Sequence, residues 1–288
     1  MNFSNSTFFI MKDGSVICCG NNQYGQLGFS STSSQSRLSY LPFSGVRKIV
    51  CGLDHTFFIM KDGTIKCCGY NYYGQLGLED TSNRTSPVNH PLTGVMDIVC
   101  GGRHTFFLME DGTIKCCGYN GNGQLGLGDT NKRTSPVNHP LTGVMDIVCG
   151  GYHTFFIMED GIIKSCGLNS DGQLGLDHNS SSRESAPKTI PFTGVKAFAS
   201  YTSIDNNDIY FVLSNENINY TIRGNQLIEL DKPLSQYQFK KRGFANLDLL
   251  YTNIESIIRP MDFDRKEGEG RLFKKTLNIN RSKKIIIS

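Results

Sequence analysis

Residues 100–129, which read CGGRHTFFLMEDGTIKCCGYNGNGQLGLGD, decide the fold. Inside this stretch Asp111-Gly112 separates two runs that are rich in β-branched and aromatic residues. An Asp-Gly pair between such runs is the strongest short-range signal for a β-hairpin. The stretch therefore predicts a hairpin that is followed by a Gly-rich loop.

The stretch is one copy of a repeat with a period of 49 residues. Its cysteine pair recurs at Cys18-Cys19, Cys67-Cys68, Cys116-Cys117 and, with one change, Ser165-Cys166. The Gly-Gln-Leu-Gly element recurs at 25–28, 74–77, 123–126 and 172–175. Residues 85–102 and 134–151 are identical at every position. A period of this length is typical of propellers and other repeat folds.

The repeat also decides against a nucleotide cofactor. Gly121, Gly123 and Gly126 spell G-x-G-x-x-G, the fingerprint of dinucleotide-binding loops. In the sister copies Gln23, Tyr72 and Ser170 stand where Gly121 stands. The motif needs a helix after the loop, and no helical periodicity follows it here. We therefore expect no cofactor.

Each unit predicts four short strands. The first strand is predicted at 143–149 and the second at 154–159. The third is predicted at 64–68 and 113–117 in two of the copies, and a weaker fourth at 87–92 and 136–141. Doubled apolar pairs such as Phe57-Phe58 predict strands that are buried on both faces, because successive side chains alternate. In a propeller the neighbouring blades pack against both faces of a strand. The pattern therefore predicts an all-β propeller with four clear repeats and one or two degenerate ones. Cys67 and Cys68 should point to opposite faces as small buried residues.

At this point the residues match a known family. The unit from Cys100 to Asp129 resembles the repeat of the regulator of chromosome condensation family, which the alpha-tubulin suppressor proteins share. That family's pattern is CG..H...L...G....WG.N..GQLG.G, and three copies here keep nearly all of it. The first copy has Ser6 where the histidine belongs. The resemblance covers residues 1 to about 203 and implies a propeller, usually of seven blades in this family.

The repeat decays toward the end of the chain. Residues 1–203 form the regular repeats, 204–251 a degenerate fifth one, and 252–288 a basic tail or a remnant of a sixth. Leu247–Tyr251 echoes Met145–Cys149, and the first copy starts at its second strand. A late segment, at 247–251 or 272–277, is a candidate to complete that first blade. Otherwise the exposed edge invites self-association.

Composition sets the broad class. The hydrophobic fraction is 38% and the charged fraction 19%, as in globular proteins. No apolar run is long enough to span a membrane, and no signal-peptide pattern stands at the N-terminus, so we expect an intracellular protein, cytoplasmic or nuclear, with reduced thiols. Residues 232–288 carry a net charge of +7 against −4 for residues 1–231, so nucleic acid is a candidate partner only through the basic tail.

Catalytic and metal sites are not expected. The spacing Cys-x3-His recurs at Cys51/His55, Cys100/His104 and Cys149/His153, but a zinc ion needs about four converging ligands. Each pair stands alone in its unit, and a feature repeated in every blade is typical of a scaffold rather than of one active centre. We expect the imidazoles to fix the loop before the second strand, the cysteines to pack in the core, and Gln26, Gln75, Gln124 and Gln173 to bond loop backbone.

Positions that differ between otherwise similar copies are the candidates for partner binding. Loops on a rigid scaffold concentrate binding residues, and Tyr and Arg are enriched at interface hot spots. Neutral drift at exposed loop positions is the alternative explanation. The candidates are Asp54, Arg103, Tyr152, Tyr24, Tyr72, Tyr73, Asn122 and Asp171.

These features favour a non-enzymatic module that docks partner proteins through its loops. The resemblance implies ubiquitin-ligase or cytoskeletal regulators as partners. The alternative that it implies is a guanine nucleotide exchange factor for a small nuclear Ran-type GTPase with chromatin association. The resemblance implies that exchange uses a hairpin wedge projecting from one blade. The even spacing of the repeat leaves no insertion in residues 1–175, whereas the irregular residues 176–251 leave this alternative open.

Overall fold

The computed structural model describes residues 5–176 and 182–190 in full. Beyond them it describes the backbone of the strands at 195–200, 209–213, 219–223 and 226–229. These residues form five antiparallel sheets, which we call blades 1 to 5. Among them no helix is long and apolar enough to cross a membrane.

Each sheet is a meander of consecutive strands. Blade 1 has three strands: β1 (Ser6–Ile10), β2 (Val16–Gly20) and β3 (Gln35–Tyr40). Blade 2 has β4 (Val46–Cys51), β5 (His55–Met60), β6 (Ile65–Gly69) and β7 (Arg84–Asn89). Blade 3 has β8 (Val95–Cys100), β9 (His104–Met109), β10 (Ile114–Gly118) and β11 (Arg133–Asn138). Blade 4 has β12 (Val144–Cys149), β13 (His153–Met158), β14 (Ile163–Leu168) and β15 (Arg183–Thr189). Blade 5 has β16 (Val195–Ser200), β17 (Ile209–Leu213), β18 (Asn219–Arg223) and β19 (Gln226–Glu229).

The first strands of blades 2 to 5 lie side by side. Strand β4 contacts β8, β8 contacts β12, and β12 contacts β16, while β1 contacts β4. These strands are the inner strands of the blades, and the last strand of each is the outer edge. The all-β propeller that the sequence predicts is confirmed, with one blade per repeat unit.

In blades 2 and 3 the middle hairpin forms at the predicted Asp-Gly pair, Asp62-Gly63 and Asp111-Gly112. Asp62 accepts hydrogen bonds at Oδ1 from the backbone N–H and the hydroxyl of Thr64, at 2.9 and 2.6 Å. Gly63 has a φ of 84°, which side chains disfavour. The turn therefore aligns β5 with β6, so that Phe57 lies opposite Cys67.

The core lies between blades rather than inside one. Phe57 packs edge-on against Phe107 of blade 3, with ring centroids 5.6 Å apart. Its neighbour Phe58 packs against Phe8 of blade 1 at 6.0 Å. Cys67 and Cys68 belong to these two different clusters, as the alternation predicts. Each doubled apolar pair thus joins its blade to both neighbours.

The outer strands differ from their predicted position. We expected them at 87–92 and 136–141, but they run from Arg84 to Asn89 and from Arg133 to Asn138. The prediction treated the proline as a start signal, whereas Pro87 lies inside its strand. A proline fits there because an outer edge strand has N–H groups that need no partner in the sheet.

The predicted degenerate fifth repeat lies partly within the described residues. Strands β17 and β18 occupy the two halves of the expected hairpin at 209–225 and pair antiparallel. Residues 252–288, the predicted basic tail, lie outside the described residues. The proposed boundaries at 203 and 251 stay predictions.

Candidate protein-docking face

Two sets of loops share one end of the blades. The first set joins the inner strand to the second, as between Cys51 and His55, and the second set is the Gly-rich loop between the third and outer strands. Because adjacent strands are antiparallel, both loops lie at the same end of each blade. This end carries all eight residues that the sequence singled out for partner binding.

The Gly-rich loop is rigid because its own side chains bond its backbone. Asn71 accepts at Oδ1 from the N–H of Leu76 at 2.9 Å, and Gln75 accepts at Oε1 from the N–H of Tyr73 at 3.1 Å. The predicted role of the four glutamines is confirmed, since Gln26, Gln124 and Gln173 make the same bond in their loops. Gly74 has a φ of 81°, and a Cβ there would overlap the backbone of Thr134 in blade 3. The loop therefore holds its exposed side chains on a fixed frame.

Six tyrosines on this end form one connected set, which we call the tyrosine array. Its members are Tyr24, Tyr70, Tyr72, Tyr73, Tyr119 and Tyr152. The ring centroids are 4.5 Å apart for Tyr24 and Tyr70, and 4.8 Å apart for Tyr73 and Tyr119. Tyr152 continues the array at 5.9 Å from Tyr119. The array thus runs across four consecutive blades.

Arg103 lies in the middle of the array. Its guanidinium carbon is 5.4 Å from the centroid of the Tyr73 ring, a cation–π distance. Its Nη1 also lies 3.4 Å from the hydroxyl of Tyr73. A second cation, Lys132, places its Nζ 5.4 Å from the centre of the Tyr72 ring. The exposed ring of Tyr72 and the partly buried ring of Tyr73 therefore each have a cation beside them.

Asp54 places a carboxyl group on this end, beside Arg103. Burial raises the pKa of its carboxyl, and the charge of Arg103 opposes that rise. The side-chain amide of Gln26 in blade 1 donates to its Oδ1 at 3.2 Å. Asp54 therefore links the loops of neighbouring blades and lies within the field of Arg103.

The last two candidates lie in the same set of Gly-rich loops and carry no aromatic ring. Asn122 and Asp171 occupy the equivalent place in the loops of blades 3 and 4, where their N–H groups bond to Gln124 and Gln173. Asp171 also accepts from the hydroxyl of Ser170 at 3.1 Å. The structure thus brings Tyr24, Tyr72, Tyr73, Arg103 and Tyr152 together and leaves these two at its margin.

Three residues of this surface were not predicted. Tyr70 and Tyr119 follow the Cys-Cys-Gly of their copies, and Lys132 precedes the outer strand of blade 3. The sequence comparison considered only positions that differ between copies. It therefore missed Tyr70 and Tyr119, which are the same residue in the second and third copies. Their signal is an aromatic residue at the start of the Gly-rich loop, which the alignment of the copies does contain.

The buried histidines link blades. The Nε2 of His55 lies 3.0 Å from the Oγ1 of Thr105 in blade 3, and Thr105 donates onward to the carbonyl of Gln75 at 2.8 Å. We expected the imidazole to bond its own loop, but its Nε2 bonds the next blade. Burial lowers the pKa of His55 to about 3, so the ring is neutral.

The cysteines next to these histidines are packing groups. Cys51 receives a contact from the hydroxyl of Thr56 at 4.0 Å, and burial raises the pKa of its thiol to about 12. A nucleophilic cysteine needs a lowered pKa and a base within reach. In the described residues no three acidic, histidine or cysteine side chains are grouped to hold a metal ion.

Several solved structures resemble this chain. Prp20p of Saccharomyces cerevisiae is 20% identical with a TM-score of 0.68, and the match covers 81% of this chain and 63% of that one. The yeast RCC1 (Prp20) structure with Kap60 is 21% identical with a TM-score of 0.65, covering 76% and 54%. Human WBSCR16 is 22% identical with a TM-score of 0.62, covering 80% and 65%. The chain therefore spans between about half and two thirds of these proteins. At such identities the likeness shows the fold.

The sequence itself places the chain in a family. No curated protein matches it closely enough to count as a relative. The sequence model of the RCC1-like domain, however, matches residues 3–214, which is most of the chain. This span contains all four clear repeats and the first two strands of blade 5. The chain belongs to the RCC1-like domain family of β-propellers.

Proposed function

We propose that this protein is a non-enzymatic interaction module that docks a partner protein on the tyrosine array. The observation that carries the proposal is the connected set of six tyrosines around Arg103, across four blades, at one end of the propeller. The RCC1-like propeller fold supports a general role in protein interaction.

The chemistry of the array suits a protein surface. Tyrosine offers a large apolar ring and a hydroxyl, and it loses little conformational entropy when a partner covers it. Tyr72 is 58% exposed, and the loop bonds of Gln75 and Asn71 fix the backbone on either side of it. Lys132 beside Tyr72 favours a partner that places a carboxylate there.

The structural neighbours support proteins as the class of partner. The structures of yeast Prp20 are described with Kap60 bound, and with binding to Gsp1p and histones. Those partners belong to Prp20. For this chain we propose a protein ligand, with ubiquitin-ligase components and cytoskeletal regulators as the candidates that the repeat family implies.

The test compares two exposed tyrosines: Tyr72, in the Gly-rich loop of blade 2, and Tyr40, at the opposite end of blade 1. Partners captured by the full-length protein from its native extract are quantified for the wild type, Tyr72→Ala and Tyr40→Ala. Tyr40 is 69% exposed at the end of β3, away from the Gly-rich loops. We expect a specific partner to be lost by at least about tenfold with Tyr72→Ala and kept with Tyr40→Ala, as for a hot spot worth about 1.4 kcal/mol or more.

Equal retention in both variants would contradict docking on the array. Nucleotide exchange is the competing activity, and release of a fluorescent GDP analogue from a captured GTPase measures it. In blades 2 to 4 the described strands keep the same spacing and leave no place for an inserted hairpin. We therefore expect release at the uncatalysed rate.

A further inference from the structure

The glutamine of a Gly-rich loop lies against the next blade. The backbone carbonyl of Gln26, in the loop of blade 1, accepts a hydrogen bond from the hydroxyl of Thr56 in blade 2 at 2.8 Å. One period later the carbonyl of Gln75 accepts the equivalent bond from Thr105 in blade 3, also at 2.8 Å. The side chains of the two glutamines therefore start from equivalent places on the neighbouring blade.

At the first of these junctions the glutamine side chain contacts a carboxyl group. The Nε2 of Gln26 donates to the Oδ1 of Asp54 at 3.2 Å, while its Oε1 accepts from the N–H of Tyr24 at 2.9 Å. Both ends of this amide are thus hydrogen-bonded. Arg103 stands one period after Asp54, in the same loop of the next blade. The residue that faces Gln75 is therefore a cation and offers no acceptor.

The second junction has two buried donors that lack an acceptor. Gln75 is fully buried, and its Oε1 bonds the loop, so its Nε2 is the group that can bond outward. Within the part of the chain that the structure describes, this Nε2 has no hydrogen-bond partner, and neither has the buried Nε of Arg103. A buried donor without an acceptor is unfavourable, so this pair favours a ligand that brings one.

The charge of Arg103 distinguishes this junction from the next one. The Nε2 of Gln124 is also buried and unpartnered among the described residues, but the residue that faces it is Tyr152. A tyrosine hydroxyl carries no charge at neutral pH, whereas Arg103 is fully charged. None of the ion pairs between described residues includes Arg103. An unpartnered amide alone follows from the loop bond, and the specific feature is the amide beside an arginine.

We propose that the junction between Gln75 and Arg103 binds the carboxylate of an aspartate or glutamate side chain of the docked partner. The inference rests on the proposed function, because the carboxylate belongs to a protein that docks on the tyrosine array. One carboxylate oxygen accepts from the Nε2 of Gln75, as the Oδ1 of Asp54 does from Gln26. The other accepts from the Nε–H of Arg103. Charge-assisted hydrogen bonds of this kind are stronger than those between neutral groups.

The side chain of Arg103 has to shift for the carboxylate to enter. Arg103 is half-buried, and its guanidinium rests on the ring of Tyr73, with its Nη1 3.4 Å from the hydroxyl. That distance is longer than a usual hydrogen bond of an N–H group, so a bond to a carboxylate replaces it with a stronger one. A second carboxylate fits beside Lys132, next to the Tyr72 ring. The preferred ligand is therefore an acidic segment.

Titration of the full-length protein with a small carboxylate tests the site without a partner. The probe is N-acetyl-aspartate α-amide, and N-acetyl-asparagine α-amide is its neutral match. The NMR signals of the Arg103 Nε–H and of the Gln75 side-chain amide are followed at low salt in ¹⁵N-labelled protein. We expect both signals to shift to saturation with the carboxylate and to stay in place with the neutral probe. Equal shifts with both probes, or no shift at these two groups, would overturn the proposal.

Two matched substitutions separate the site from the loop that carries it. Gln75→Glu keeps the Oε1 that bonds the loop and places a second carboxylate oxygen beside Arg103, so the site is occupied from within. Gln124→Glu makes the same change in the loop of blade 3, where Tyr152 faces it. We expect the affinity for the carboxylate probe to fall at least about tenfold in Gln75→Glu and to stay within about twofold in Gln124→Glu. Equal affinities in the two variants would contradict the site.

Capture of the partner from the native extract separates this inference from docking itself. Arg103→Asp gives this junction the same pair that Gln26 makes with Asp54, so the chain should fold and the carboxylate site should be lost. We expect Arg103→Asp and Tyr72→Ala each to reduce the captured partner by at least about tenfold. Loss with Tyr72→Ala alone would overturn the carboxylate site and leave docking on the array intact. Retention with both variants would contradict docking on the array, and the site with it.

Discussion

The imidazole of His104 joins two blades: its Nε2 lies 3.0 Å from the Oγ1 of Thr154, fifty residues later in the chain. Thr154 donates its own proton to the carbonyl of Gln124 at 2.8 Å, so its oxygen accepts from the Nε2–H of His104. The same chain of bonds joins His55 to Thr105 and Gln75. Blade 2 is thus joined to blade 3, and blade 3 to blade 4, by a buried and neutral pair of hydrogen bonds, which we call the relay.

Removal of one relay hydroxyl should destabilise the protein. In Thr154→Val the Nε2–H of His104 loses its acceptor inside the core, which costs about 1–3 kcal/mol. Urea unfolding of the full-length chain measures the loss. Thr130→Val in an exposed loop is the control, and it should change stability by less than about 0.5 kcal/mol. An equal effect of both substitutions would show that the relay contributes nothing.

The free energy of unfolding should begin to fall at about pH 6.5 as the solution is made more acidic. Burial lowers the pKa of His55 and His104 to about 3, and that of His90, His139 and His153 to about 4. Below about pH 6.5 the unfolded chain binds protons at these histidines while the folded chain does not, so stability falls as the pH falls. The contribution of the neutral histidines to the free energy of unfolding is fully present above about pH 6.5.

Urea midpoints between pH 8 and pH 4.5 measure this dependence. Each histidine can contribute a slope of up to about 1.4 kcal/mol per pH unit below pH 6.5. His104→Gln should lower stability at pH 7.5 and make the decline toward pH 5 shallower than in the wild type. A stability that stays constant from pH 7.5 to pH 5 would contradict the neutral, buried state of the histidines.

Only one described thiol should react quickly in the native protein. Cys19 is half-buried, whereas the other nine cysteines are buried. Burial also raises the pKa of Cys67 to about 12, which suppresses its thiolate. Maleimide labelling should therefore show one fast site, which Cys19→Ser removes and Cys67→Ser leaves intact. Several fast sites in folded protein would mean that the blades are not packed as described.

Two glycines separate backbone strain from steric overlap. Gly63 and Gly74 have almost the same φ, 84° and 81°, but a Cβ on Gly63 would meet open space and one on Gly74 would overlap Thr134. Gly63→Ala should cost about 1–2 kcal/mol, the usual penalty of that backbone conformation. Gly74→Ala should cost more, because the loop must also move away from blade 3. Thermal unfolding of the two variants under one condition compares them, and equal losses would contradict the close approach.

Much of this fold could be predicted from the repeat, and the site only in part. The Asp-Gly pairs predict the hairpins, and the doubled phenylalanines predict strands buried on both faces, because each signal is local and recurs at 49 residues. The outer strands were misplaced because Pro87 is tolerated at an edge. The contact of Arg103 with Tyr73 joins two blades across 30 residues, so spacing within one copy could not show it.

The central claim is that a partner protein docks on the tyrosine array, and site-specific photo-cross-linking tests it most directly. The photoreactive residue p-benzoylphenylalanine replaces Tyr72 in one full-length variant and Tyr40 in the other. Both are irradiated in the native extract, and the adducts are identified by mass spectrometry. We predict a discrete adduct with a partner protein from position 72 and none from position 40. Adducts from position 40 alone, or identical ones from both positions, would contradict docking on the array.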